Sequence, residues 1–210
     1  MRYVVVGVLT LGIVALAVAG NGTSLWNIDD ARLVAETPGK GIEMKVAING
    51  AYEEIEYHYP LSEIGKVPPQ VRDKMDQMFP GPVTGIEKEY HASGTYWELT
   101  KLVNQKKHEV MFDTAGKPVS FEIAIDVGEV PPPVKNGLEA AYPQAANTAV
   151  EWEKIIDGED LATPPSAYHA KFKVGSRALK VVVQPNGHVP AAYLEVPAEI
   201  EVPVPVGQIK

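Results

Sequence analysis

The sequence predicts an α+β protein of two repeated units, each a helix packed on a four-stranded antiparallel sheet. Three observations carry that prediction: a proline-opened helical phrase written twice, alternating apolar runs after each copy, and turn residues spaced regularly between the runs. Val67 to Phe79 reads VPPQVRDKMDQMF and is echoed 63 positions on by VPPPVKNGLEAAY, Val130 to Tyr142. Val67, Val71, Met75, Met78 and Phe79 fall at i, i+4, i+8, i+11 and i+12, which makes one apolar stripe on a helix, and Val130, Val134, Leu138, Ala141 and Tyr142 repeat the offsets. Pro68, Pro69 and Pro131 to Pro133 stand at helix starts, where a missing N–H costs nothing, and Pro80-Gly81 and Pro143 close the helices.

After the first helix, turn chemistry at Ser93-Gly94, Asn104 to Lys106 and Asp113 to Gly116 divides strand-like runs. After the second, Gly175-Ser176 and Pro185-Asn186-Gly187 do the same, with an insertion at Asp157 to Ser166. Alternation puts Val119, Phe121, Ile123, Ile125 and Val127 on one face, and likewise Tyr168, Ala170, Phe172 and Val174. Neither a lone hairpin nor a lone short helix is stable in water, so each helix is expected to lie across its sheet and cover it. Ahead of the first helix, Asn49-Gly50 suits a type I′ turn and predicts a hairpin over Ile42 to Tyr59. Asn27 is placed to cap a short helix stopped by Thr37-Pro38-Gly39. The prolines 197, 203 and 205 suit a closing edge strand after Tyr193.

Residues 1–19 read as a cleaved secretory signal: Arg2, an apolar run, then Ala17-Val18-Ala19 as a small-x-small cleavage site. The rival is a membrane anchor, since Tyr3 to Ala19 approaches the roughly 17 to 20 residues that span a bilayer. The cleavage site and the absence of a basic stop favour cleavage. The expected organisation is then the signal at 1–19, a segment with the short helix at 20–41, unit 1 at 42–128 and unit 2 at 129–206. With no Cys in an exported chain, each unit must be held by its own core, which fits a periplasmic or secreted bacterial protein. A net charge of −8 with dispersed basic residues excludes nucleic acid as a partner class and leaves a basic protein surface or a cationic ligand.

The helix phrase, the acidic strands after it and the run VMFDTAGK from Val110 to Lys117 resemble the PepSY-like group, also described as the β-lactamase-inhibitor-protein-like group. The resemblance covers nearly all of Ile42 to Val202, twice. In the first copy Val67, Pro68, Val71, Phe79, Pro80, Glu87, Glu89 and Glu109 carry it with Phe112, Asp113, Gly116 and Lys117; in the second, Val130, Pro131, Val134, Leu138, Tyr142, Pro143, Glu151 and Glu153. The second copy departs where VQPNGH, Val183 to His188, replaces FDTAGK. The resemblance implies a helix on a four-stranded sheet in each unit, export to the envelope or medium, and a binding or inhibitory role without catalysis.

The residues themselves show no catalytic signature: no Cys, no nucleophile elbow, no phosphate-binding glycine loop, and hence no cofactor. Tyr90, Tyr96, Trp97, Trp152 and Tyr168 cluster in the sheet segments and are the candidate anchors for a protein or peptide partner, Tyr and Trp being the usual interface anchors. The alternative is that these rings cover the helix-packed face. Glu53, Glu54 and Glu56, the pair Glu87 and Glu89, and the pair Glu151 and Glu153 put carboxylates two apart on strands, where they share a face. Such a face suits a small ligand or divalent cation, or an unrecognised hydrolase pair; the plainer reading is a solvated outer face. Asp157, Glu159 and Asp160 lack the order of a calcium loop. His58, His91, His108, His169 and His188 lack zinc-ligand spacing, so no metal site is predicted.

Overall fold

The computed structural model describes residues 26–37, 39, 41–47 and 50–198, so the signal reading of 1–19 and the tail beyond 198 lie outside the described residues. Helix α1, Ile28–Ala35, is capped by Asn27, whose Oδ1 accepts from the backbone N of Asp29 and of Asp30 at 3.1 Å each. Strands β1, Ile42–Val46, and β2, Tyr52–His58, form the expected hairpin, though residues 48 and 49 of its turn are not described. Helix α2, Pro69–Met78, leads into β3, Val83–His91; β4, Gly94–Val103; β5, Lys106–Asp113; and β6, Pro118–Ile125. Helix α3, Pro132–Ala141, leads into β7, Glu151–Asp157; β8, Ala167–Val174; β9, Arg177–Val183; and β10, Ala191–Leu194.

The expectation of two separate helix-on-four-strand units is overturned. All ten strands belong to one antiparallel sheet in the order β1 to β10, curled into a half-barrel. The join lies where the first unit should end: β6 pairs with β7 from Ser120 opposite Asp157 to Ile125 opposite Trp152, and Ile156 packs into the core of the first half. The physical reason is the edge. A sheet ending at β6 leaves a row of unpaired N–H and C=O groups, and β7 satisfies it within the same chain. Periodicity reports which face a side chain takes, not which edges meet.

The helices lie on one face of this sheet, over two apolar clusters. Val71 and Met75 of α2, both fully buried, pack with Ile55, Tyr57, Ile86, Trp97, Leu99, Val110, Phe112 and Phe121. Val134 and Leu138 of α3 pack with Trp152, Tyr168, Ala170, Phe172, Val181 and Val183. Ala141, expected on the second stripe, is exposed at the helix end, and Val127 stands exposed in a 3-10 turn.

Polar latches hold the helices down. Asp30 of α1 accepts from the hydroxyls of Tyr59 and Tyr90 and from Lys88 Nζ at 2.8 Å. The buried Lys101 donates to Asp76 Oδ1 at 2.5 Å and to the Phe79 carbonyl at 2.9 Å, tying the end of α2 to β4. The two glycine turns flagged in the sequence dock on the helices: Gly116 sits against Gln70 of α2, and Gly187, at φ +87°, against Pro133 and Gly137 of α3. No helix of the described residues is long and apolar enough to cross a membrane.

Candidate functional site

Antiparallel register puts directly opposed residues on the same face. Followed across the strands, the face away from the helices carries Glu43, Glu56 and Glu89 in one row. A second row holds His58, Glu87 and Glu98, a third Thr100, Glu109 and Glu122, and a fourth Glu153 and His169. The sheet curls toward this face. Lys45 of β1 places its ammonium 5.0 Å from the ring centre of Tyr193 on β10, so side chains of the two edge strands meet across the opening.

The curl explains why the acidic alternation is not a solvated outer face. Glu89, Glu109 and Glu153 are only 3, 8 and 6% exposed. Four groups bring three ligating side chains within 4.8 Å of one another: Glu43, Glu56 and His58; Glu54, Glu89 and His91; Glu87, Glu98 and Glu109; and Glu122, Glu153 and His169. Three of the five histidines, unrelated by sequence spacing, thus each sit between two carboxylates. His58 Nδ1 lies 3.1 Å from Glu87 and its Nε2 3.3 Å from Glu43. His91 Nε2 lies 2.7 Å from Glu89, and His169 Nδ1 3.2 Å from Glu122. Lys107 bridges Glu109 at 2.7 Å and Glu153 at 2.8 Å, and Lys45 reaches Glu54 at 3.4 Å.

Titration follows this geometry. Burial, a hydrogen bond to Glu54 and the charges of Glu54, Glu89 and Glu87 push the Glu56 carboxyl up to about 11. Burial and the charges of Glu89, Glu109 and Glu87 raise Glu98 well above the usual carboxylate range, although part of it still meets solvent. Among the described residues Glu98 makes no ion pair. Burial opposes protonation of His58, but Glu43 and Glu87 outweigh it and hold the ring up at about 10. At the other end of the face the balance reverses: against burial, His169, Lys180 and Lys171 hold Glu122 down to about 2.

The five candidate aromatic anchors separate by face. Trp97, Trp152 and Tyr168 are 5, 5 and 7% exposed in the apolar clusters beneath the helices. Tyr90 faces the same way and is bonded to Asp30 and Asn27. Tyr96 alone stands on the inner face, directly opposite Glu89, edge-on to His91 at 5.2 Å, its hydroxyl donating to Ser93 Oγ at 3.1 Å. Of the candidate carboxylates, Glu54, Glu56, Glu87, Glu89 and Glu153 share the inner face and Glu53 does not. Glu98, Glu109 and Glu122 each stand singly in their strands, so no carboxylate pair marks them in the sequence, where Glu109 enters only through the family resemblance; register lines them up. The clefts bounded by Val127, Leu138 and Trp152 and by Ile64, Arg72 and Asp76 hold none of the inner-face acids.

No protein-family model matches the chain, and no curated protein matches it. Several solved structures are similar. A protein from Bacteroides eggerthii taken to be periplasmic is 17% identical, with 61% of this chain and 88% of that chain covered and a TM-score of 0.47. A DUF2874 family protein from Bacteroides uniformis is 19% identical over 60% and 88% of the two chains, with a TM-score of 0.46. A BLIP-like protein from Bacteroides fragilis is 15% identical over 66% and 94%, with a TM-score of 0.45. The PepSY-like resemblance read from the helix phrase is matched by no family model.

Proposed function

We propose that the chain is an exported binding module without catalytic machinery, whose carboxylate-lined inner face receives a cationic group of a protein or peptide partner. One observation carries this reading. Glu43 opposes Glu56, Glu56 opposes Glu89, Glu87 opposes Glu98 and Glu109 opposes Glu122, so carboxyl groups that would repel if all were ionised stand directly across from one another on a largely buried face. Directly opposed like charges destabilise a sheet, and burial makes each uncompensated carboxylate costlier. Such an arrangement is tolerable when a proton or an incoming cation neutralises it. Lys107, Lys171 and Lys180 supply cations beside Glu109, Glu122 and Glu153, and His58 sits 3.1 Å from Glu87, whereas among the described residues Glu98 has no ion pair, so Glu98 is the group open to an external cation. Tyr96 at its border offers an aromatic face to the same cation. Export rests on the signal-like 1–19, as read from the sequence.

The test is calorimetric titration of the mature chain with a short lysine-rich peptide and its glutamate-rich counterpart. Binding should be confined to the basic peptide and should weaken with added salt. Glu98→Gln and Glu87→Gln should each lower affinity about tenfold, the scale of one lost charge-assisted contact. Equal binding of both peptides, or no effect of either substitution, refutes the reading.

A further inference from the structure

Glu153 has an acceptor that its neighbours do not satisfy. Its side chain is 8% exposed, and Oε1 accepts from Lys107 at 2.8 Å. Oε2 is buried and accepts no hydrogen bond; it is the one carboxylate oxygen in that condition among the described residues. Lys171 Nζ stands 3.8 Å from it, beyond hydrogen-bond reach. A buried carboxylate oxygen without a donor is costly unless something else coordinates it. Its neighbours on either side are suited to help: His169 on β8 lies directly opposite in register, and Glu122 on β6 flanks it.

We propose that Glu122, Glu153 and His169 form a binding site for one divalent transition-metal ion of the zinc or manganese type. Their ligating atoms already lie within 4.8 Å of one another, and His169 Nδ1 is 3.2 Å from Glu122 Oε2. A tetrahedral ion about 2.1 Å from each ligand holds them roughly 3.4 Å apart, so a small side-chain rotation closes the set. An imidazole beside two carboxylates selects a transition ion over calcium or magnesium, which take oxygen ligands. Three adjacent hydrogen-bonded strands hold the ligands more rigidly than loops would. Lys171 is the obstacle, and it has somewhere to go: its register partner is the exposed Glu151, toward which it can swing when the ion takes Oε2. The fourth position is left to water or to a ligand atom from a partner.

This inference does not rest on the cationic-partner reading, and a single set of variants separates the two. Calorimetry of the mature chain with zinc or manganese chloride should show one ion per chain. His169→Ala and Glu153→Gln should each weaken uptake at least tenfold, and Glu98→Gln should leave it unchanged. To guard against variants that fold poorly, manganese added to the unaltered chain should broaden the ring resonances of His169 and spare those of His188. No uptake by the unaltered chain overturns the proposal. So does uptake that survives His169→Ala, and so does broadening at His188 with none at His169. Uptake lost in Glu98→Gln but kept in His169→Ala would move the ion to the Glu87, Glu98 and Glu109 group, refuting this site while supporting the cation-accepting face.

Discussion

Raising the pH from 5 to 7 should make this protein easier to unfold, because its inner face keeps protons that the unfolded chain has already released. Glu109 shows the size of the effect. It is 8% exposed, and burial, with the charges of Glu122 and Glu153 adding and Lys107 opposing, pushes its carboxyl from 4.5 up to about 7. Below 4.5 both states are protonated and the stability is whole. Between 4.5 and 7 only the folded state holds the proton, so stability falls as pH rises toward the folded value. At ~1.4 kcal/mol for each pH unit, this one group removes about 3 kcal/mol by pH 7. Glu56, Glu89 and Glu98 are raised too and act with the same sign, and His58, held up at about 10, adds to the decline from pH 6.5 upward. The groups held low, Glu122, Glu43, Glu54 and Asp30, contribute stability that is lost only as pH falls below the ordinary carboxylate value. The optimum therefore lies near pH 5. Urea unfolding at several pH values measures it: the free energy should drop by at least about 3 kcal/mol from pH 5 to 7, and Glu109→Gln should remove about 2 kcal/mol of that drop. A free energy that is flat or rises over this interval would refute the account of the inner face.

Gly137→Ala should destabilise the protein although alanine is the better helix former by about 1 kcal/mol. The added Cβ would overlap the Gly187 carbonyl oxygen and lie 2.7 Å from its carbon, forcing α3 away from the turn between β9 and β10. A drop in melting temperature corresponding to about 1–3 kcal/mol is expected, and a gain would show that the contact yields freely. Asp30→Ala removes the acceptor shared by Tyr59, Tyr90 and Lys88, so hydrogen exchange should accelerate over Ile28–Ala35 while Pro69–Met78 stays protected. Uniform acceleration in both helices would mean that α1 is not latched independently.

The elements of this fold were legible because each is written in local chemistry. Asn27 marks the start of α1, the paired prolines mark α2 and α3, and Ser93-Gly94 and Asn104 to Lys106 mark hairpin turns at the ends of β4. The burial of Met75 and Leu138 follows from the 3.6-residue stripe. The candidate site was only half visible. Glu87 and Glu89 could be seen to share a face, and the aromatics could be seen to belong to strands. That Trp97 and Trp152 turn to the helices while Tyr96 turns away depends on register, which a period of two leaves open until one side is known to be buried.

By itself, the amino-acid sequence determined the helices, the strands, their turns and the alternation within each strand, since these answer to neighbours a few residues away. Only the tertiary structure decided that β6 joins β7 into one sheet, that this sheet curls, and that the curl faces the acids. Edge pairing and curvature arise from contacts between distant segments. The same alternation of glutamates would be a solvated surface on a flat sheet; folded inward, it becomes a confined field of carboxylates around His58, His91 and His169.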